Sequence, residues 1–257
     1  MTSAEYITSR KNPLMTQIRR LATSRSYRRE QGLFLVDGAK LLDEALAWNA
    51  IIEVVVAAEG VPLPALPEGA RLVRVPDELM AYISTMEQPQ GILFLCKLQT
   101  QLQPEQLTGG RYLILDGLQD PGNVGTIWRT ADALWADGLI LVNGCADAWN
   151  PKTVRATMGA CFRLPVYEMT IDGLAGLLSG AQLPLYAAAL RADAVELAQA
   201  QLGRCAVAIG SEGSGVSPEL LALSERTVLI PMRERCESLN AATAAAVVLW
   251  EMVRQQG

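Results

Sequence analysis

Between positions 13 and 29, Leu14, Ile18 and Leu21 recur at helical intervals with arginines between them, which predicts one basic amphipathic helix from Pro13 to Arg29. Short apolar runs follow: "LFLVDG" (33–38), "IIEVVVA" (51–57), "LVRVP" and "GILFLC" each predict a strand, and "AKLLDEALAWN" a helix closing at Asn49. Residues 98–110 are polar and glutamine-rich, end in a glycine pair, and read as a linker. Beyond them, strand-like "RYLILD", "GLILVNG", "LPLYAAAL", "CAVAIG" and "TVLIPM" alternate with helix-like stretches, the last being the alanine-rich "LNAATAAAVVLWEMVRQQ". Apolar strands alternating with helices predict an α/β fold whose parallel sheet is covered on both faces. The pattern divides the chain into a small α/β domain at 1–97, a linker at 98–110 and a larger domain at 111–257. A length of 257 residues, half of them apolar, suits two modest cores.

Composition narrows the chemistry. There is no histidine, so a serine–histidine triad and a histidine-ligated zinc are both excluded within this chain. The five cysteines are scattered, which argues against a disulfide framework and against a thiolate metal site. No window reaches the roughly 18 uninterrupted apolar residues of a membrane span, and the first twenty residues are polar and basic. The expectation is a soluble cytoplasmic protein with no metal and no membrane association.

Net charge is −5, yet residues 1–30 carry seven cations, Arg10, Lys11, Arg19, Arg20, Arg25, Arg28 and Arg29, against Glu5 and Glu30. A solvated helix face and a phosphate-binding patch are both compatible with this imbalance.

Three strand-to-loop junctions in the second domain are unusual: "LILDGLQDPGNVGTIWR", "AVAIGSEGSGVS" and "LIPMRERCESLNAAT". Ligands in open α/β sheets gather at the carboxyl ends of strands, so the three loops are candidates for one site. The glycines of "GSEGSG" match neither G-x-G-x-x-G nor a P-loop, which counts against a nicotinamide-dependent oxidoreductase. Taken singly, Asn123 fits a turn, Arg129 a helix surface, Glu212 a solvated loop, and Ser238 or Asn240 a helix N-cap.

Together, N-x-G-x-x-x-R-T-A-D-A at 123–133, I-G-S-E-G-x-G-V-S at 209–217 and I-P-M-x5-S-L-N at 230–240 resemble the three ordered motifs of the SpoU (TrmH-like) ribose 2′-O-methyltransferases of the SPOUT superfamily. "NPKTVRATMGACFRLPV" (150–166) resembles the segment between the first two motifs, and the N-terminal forty-odd residues resemble a ribosomal-protein-like RNA substrate-binding domain. The resemblance implies a C-terminal domain tied in a trefoil knot that binds S-adenosylmethionine through main-chain groups at Gly210, Ile230, Met232 and Leu239. It implies catalysis by Arg129 with Asn123, Glu212, Ser238 and Asn240.

A guanidinium is always protonated, so Arg129 is expected to grip the phosphate beside the target ribose and stabilise the developing alkoxide, rather than act as a base. Asn123 and Asn240 are expected to orient Arg129, with Glu212 on its far side. Arg10, Lys11, Arg19, Arg20, Arg28 and Arg29 are the expected RNA contacts. The substrate is expected to be ribosomal RNA, with transfer RNA or a non-catalytic RNA-binding role in ribosome assembly as alternatives. The small residues of the last helix suggest a homodimer. The charged run "RERCE" at 233–237 is unusual for the third motif.

Overall fold

The computed structural model describes residues 4–98, 104–233, 235 and 238–255. The chain forms two compact units: Met1–Thr100 with Trp149–Phe162, and Gln101–Ala148 with Arg163–Gly257.

The first unit is built on a five-stranded mixed sheet. Its strands are β1 (Glu5–Tyr6), β2 (Leu33–Asp37), β3 (Ile52–Ala58), β4 (Arg71–Val75) and β5 (Ile92–Lys97), in the order β1-β4-β3-β5-β2. The expected helix over 13–29 is two helices, α1 (Pro13–Thr23) and α2 (Arg25–Gln31). Ser24 breaks it: its backbone is extended (φ −112°, ψ 112°) and its hydroxyl accepts from the Tyr27 amide at 3.2 Å. That cap outweighs the helical propensity of the flanking arginines. Leu14, Met15, Ile18 and Leu21 of α1 are buried in the core, as the spacing predicts. Helices α3 (Ala39–Ala47) and α4 (Asp77–Ile83) complete this part; the pattern did not predict α4.

The sequence pattern assigns residues 149–162 to the C-terminal domain, but by packing they belong to the first unit. Phe34 explains this. Its ring centroid lies 4.6 Å from that of Trp149 and 6.3 Å from that of Phe162, burying aromatic area along β2, the last strand in the sheet order.

The second unit carries β6 (Arg111–Asp116), β7 (Gly138–Val142), β8 (Val166–Glu168), β9 (Leu185–Ala188), β10 (Val195–Glu196), β11 (Cys205–Gly210) and β12 (Arg226–Leu229). They form one sheet in the order β10-β12-β9-β11-β6-β7-β8, and every pairing among them is parallel. Helices α5 (Pro121–Ala133), α7 (Ile171–Ala181), α8 (Pro218–Leu223) and α9 (Ala241–Arg254) lie in this unit, while α6 (Pro151–Ala156) lies in the first. The chain runs outward through β6, β7 and β8, then returns to the opposite side of β6. Neighbouring strands β6 and β11 therefore flank a topological switch point, where parallel sheets open a crevice.

Candidate active site

The switch point is organised by a buried carboxylate. Asp116, the last residue of β6, is 3% exposed. It accepts from the Asn143 amide at 2.7 Å and from the Ser217 backbone N–H at 2.6 Å. One side chain thus ties together the ends of β6 and β7 and the loop after β11.

The chain turns through Gly117 (φ +64°) into α5. Asp120 caps that helix by accepting from the amides of Gly122 and Asn123, with Pro121 at its first position. Two turns on, Trp128 is fully buried and donates from its indole to the Leu164 carbonyl at 3.0 Å. Cap and anchor together fix the rotation of α5 about its axis, which sets where Asn123 and Arg129 point.

Asn123 donates through its amide to the Glu212 carboxylate in the loop after β11. Its carbonyl oxygen accepts from the Asn240 amide at 3.2 Å. The Asn240 carbonyl in turn accepts from Ala242 and Thr243 N–H at 2.9 and 3.3 Å, capping α9. Residues from all three motifs form one continuous hydrogen-bond chain. Asn240 is both the helix cap that local reading suggests and a member of the site.

Beside this chain, a cavity of about 420 Å³ opens at the carboxyl ends of β9, β11 and β12. Gly210, Ile230, Met232 and Leu239 all line it, with Glu212 and Ser238. A Cβ on Gly210 would collide with the backbone of Gly215 and Val216, so the loop folds back over a position that only glycine permits. The fold-back is closed by the Gly215 amide on the Ser211 carbonyl at 2.9 Å and by a 2.8 Å contact between the Ser211 and Ser214 hydroxyls. Its size and largely apolar walls suit a nucleoside-sized ligand.

Residues 110–250 match the model of the SpoU rRNA Methylase family. The chain belongs to that family. Residues 12–93 match the MRM3-like substrate binding domain. The chain is 31% identical to the 23S rRNA (guanosine(2553)-2′-O)-methyltransferase RlmP of Bacillus subtilis, over 96% of this chain and 99% of the relative. It is 30% identical to the mitochondrial rRNA methyltransferase 3 of Homo sapiens, over 94% of this chain and 72% of that protein. Among solved structures, an AdoMet-bound rRNA methyltransferase from Sinorhizobium meliloti superposes with a TM-score of 0.87 at 28% identity, covering 98% of both chains.

In this SpoU methylase the four main-chain positions implied for the cofactor converge on one cavity, but the grouping expected around Arg129 is not observed. Arg129 is exposed and makes no hydrogen bond or ion pair among the described residues. Six residues of α-helix turn a side chain about 120° from Asn123 and advance it about 9 Å, so the two leave α5 on different faces. Asn123, not Arg129, holds the carboxylate of Glu212. Ser238 is exposed on the cavity wall. Glu234, Cys236 and Glu237 of the charged run lie outside the described residues.

The basic set also needs one correction. Arg10, Lys11, Arg19, Arg20 and Arg29 are exposed, but Arg28 is 2% exposed and donates to the Leu21 carbonyl at the end of α1. Its guanidinium supplies a partner for a helix-terminal carbonyl and is not a surface cation. Asp116, Asp120 and Arg191 are site residues that the motifs did not single out. Arg191 lines the cavity and pairs with Asp193 at 3.2 Å. A lone acid ending an apolar strand before a glycine, as in "LILDG", is the signal that marks Asp116.

Among the described residues no cluster of metal-ligating side chains is present, and no helix is long and apolar enough to cross a membrane. Burial pushes the Cys205 thiol up to about 12 and raises those of Cys96 and Cys145, so these three stay protonated and non-nucleophilic near neutrality.

Proposed function

We propose that this SpoU methylase transfers a methyl group from S-adenosylmethionine to a ribose 2′-hydroxyl of ribosomal RNA. The observation that carries the reading is the Asn240–Asn123–Glu212 chain beside a cavity lined by Gly210, Ile230, Met232 and Leu239. The match, over 96% and 94% of the chain, to relatives named for ribosomal RNA favours that RNA over transfer RNA. The sugar is an RNA sugar because the 2′-hydroxyl is absent from DNA.

Bound in the cavity, S-adenosylmethionine supplies an electrophilic methyl group on a sulfonium. Main-chain groups at Gly210, Ile230, Met232 and Leu239 would hold its nucleoside against the apolar lining. Glu212, fixed by Asn123, is the carboxylate lining the cavity and serves as proton acceptor for the reacting hydroxyl, which Ser238 orients. Arg129, on the adjoining face of α5 and outside the cavity lining, binds the phosphate next to that ribose and so positions the hydroxyl for attack. In the same proposal, residues 1–97 recognise RNA through Arg10, Lys11, Arg19, Arg20 and Arg29, residues 111–148 and 163–257 carry catalysis on a trefoil-knotted backbone, and the protein works in the cytoplasm. It also pairs as a homodimer through the exposed faces of α5 and α9.

Mapping 2′-O-methyl positions in ribosomal and transfer RNA from strains with and without the gene tests the reading. Loss of one ribosomal RNA methylation is expected; loss confined to transfer RNA, or no loss, overturns it. With purified protein, Arg129→Ala should retain cofactor and RNA binding while methyl transfer falls by roughly a hundredfold, and Arg129→Lys should restore part of it. Undiminished turnover in Arg129→Ala would remove Arg129 from the chemistry.

A further inference from the structure

Three exposed arginines of the first unit, Arg10, Arg19 and Arg20, lie over tyrosine rings. The guanidinium of Arg10 lies 4.8 Å and that of Arg19 4.4 Å from the centroid of Tyr82, and Arg19 also donates to the Tyr82 carbonyl at 3.0 Å. The guanidinium of Arg20 lies 3.8 Å from the centroid of Tyr27. None of these three arginines pairs with a carboxylate among the described residues. Both tyrosines are half-buried and pack on the hydrophobic core of this unit, so their rings are fixed platforms.

The difference between a ring and a carboxylate matters chemically. A carboxylate partner occupies the in-plane N–H donors of a guanidinium, and an incoming phosphate must displace it. A ring beneath the guanidinium holds the cation without an acceptor oxygen, so apart from the Arg19 donor given to the Tyr82 carbonyl it does not occupy the N–H donors as a carboxylate would. Holding Arg10 and Arg19 on one ring also places two like charges together, an arrangement that a bound anion relieves.

We propose that Tyr82 and Tyr27 are positioning residues of a phosphate receptor: they preset Arg10, Arg19 and Arg20 to bind consecutive phosphodiesters of the substrate RNA. The proposal rests on the RNA-methylating function above. It commits to the RNA backbone as ligand, with the tyrosines acting through the arginines and not by stacking on bases.

The test uses the full-length protein and a fluorescein-labelled 24-nucleotide RNA hairpin, with affinity measured across a salt series. Tyr82→Phe keeps the ring and should bind within about twofold of wild type. Tyr82→Leu should weaken binding roughly three- to tenfold, and the slope of log affinity against log salt should fall by about 0.7 to 0.9 for each phosphate that the arginines no longer neutralise. Arg19→Lys, which keeps the charge but not the planar guanidinium over the ring, should weaken binding too.

The deciding comparison is made in Arg10→Ala/Arg19→Ala, where adding Tyr82→Leu should change nothing further. A further loss there would mean that Tyr82 contacts RNA itself, and would overturn the positioning role. Because Tyr82 packs on the core, retained binding of S-adenosylhomocysteine and an unchanged circular dichroism spectrum serve as folding controls. Should Tyr82→Leu fail them, Arg19→Lys binding as tightly as wild type would overturn the inference. Wild-type protein that binds no hairpin would instead overturn the RNA-recognition reading beneath it.

Discussion

At Gly210 the requirement for glycine comes from the chain itself. The expectation from the motif is a position where the ligand approaches the backbone closely, but the atoms that a Cβ would strike belong to Gly215 and Val216. Neither backbone is the flexible end of a side chain, so the loop must open to accept even a methyl group. Overpacking of this kind costs about 1–3 kcal/mol, and the segment displaced forms one wall of the cavity. Gly210→Ala should therefore lower stability toward urea by that amount and weaken S-adenosylhomocysteine binding at least tenfold by calorimetry. Wild-type affinity in Gly210→Ala would show that the fold-back yields cheaply. By contrast Gly213, in the same loop, has open space around its Cβ position, and Gly213→Ala should leave both quantities nearly unchanged.

At the level of elements, Asn240 joins helix capping to the site, and the two roles separate by substitution. Aspartate caps a helix about as well as asparagine and is favoured at a helix N-terminus, but a carboxylate cannot donate to the Asn123 carbonyl oxygen. Asn240→Asp should keep wild-type stability in urea while methyl transfer falls roughly tenfold. Asn240→Ala should lose about 1 kcal/mol of stability in addition. Equal activity of Asn240→Asp and wild type would disconnect the hydrogen-bond chain from catalysis. This double role also shows what was legible in the sequence. Short apolar runs located β2 to β7, β9, β11 and β12, most of which are buried on both faces, and helix-like stretches located α1, α3 and α9. They missed β1, β8 and β10, which are two or three residues long, and α4, whose seven residues fall short of two full periods. They also ran α1 and α2 together, because hydrophobic spacing carries no information about a serine that caps its own downstream helix. The second and third motifs supply Gly210, Glu212, Ile230, Met232, Ser238 and Leu239, which the fold brings to one cavity. The six-residue spacing alone makes Arg129 and Asn123 diverge once α5 is a helix; what the motifs could not show is which of the two turns toward the cavity, since that depends on how Trp128 and Asp120 set the rotation of α5.

The whole molecule poses the question of its partner copy. Helices α5 and α9 pack on each other in the second unit, and each leaves a face uncovered. On α9, Val247 and Trp250 lie three residues apart on one stripe, with Trp250 61% exposed; just past α5, Trp135 is 64% exposed. The outward stripe of α5 is Thr126, Arg129 and Ala133, so the proposed catalytic arginine emerges from one of the helices bearing this surface. Exposed tryptophans beside small alanines are costly in water and well suited to close helix packing across a two-fold axis, where each copy covers the same patch of the other. A stable pair needs about 800 Å² buried on each partner, with aromatic anchors near the centre. Sedimentation at micromolar concentration should give twice the 27.7 kDa of one chain. Trp250→Glu should shift the protein to monomer, since it puts a charge where the two copies would meet, while far-ultraviolet circular dichroism stays unchanged because the residue is already solvent-facing in one chain. A wild-type monomer would rule the homodimer out. A Trp250→Glu variant that remains dimeric would place the interface elsewhere on the surface.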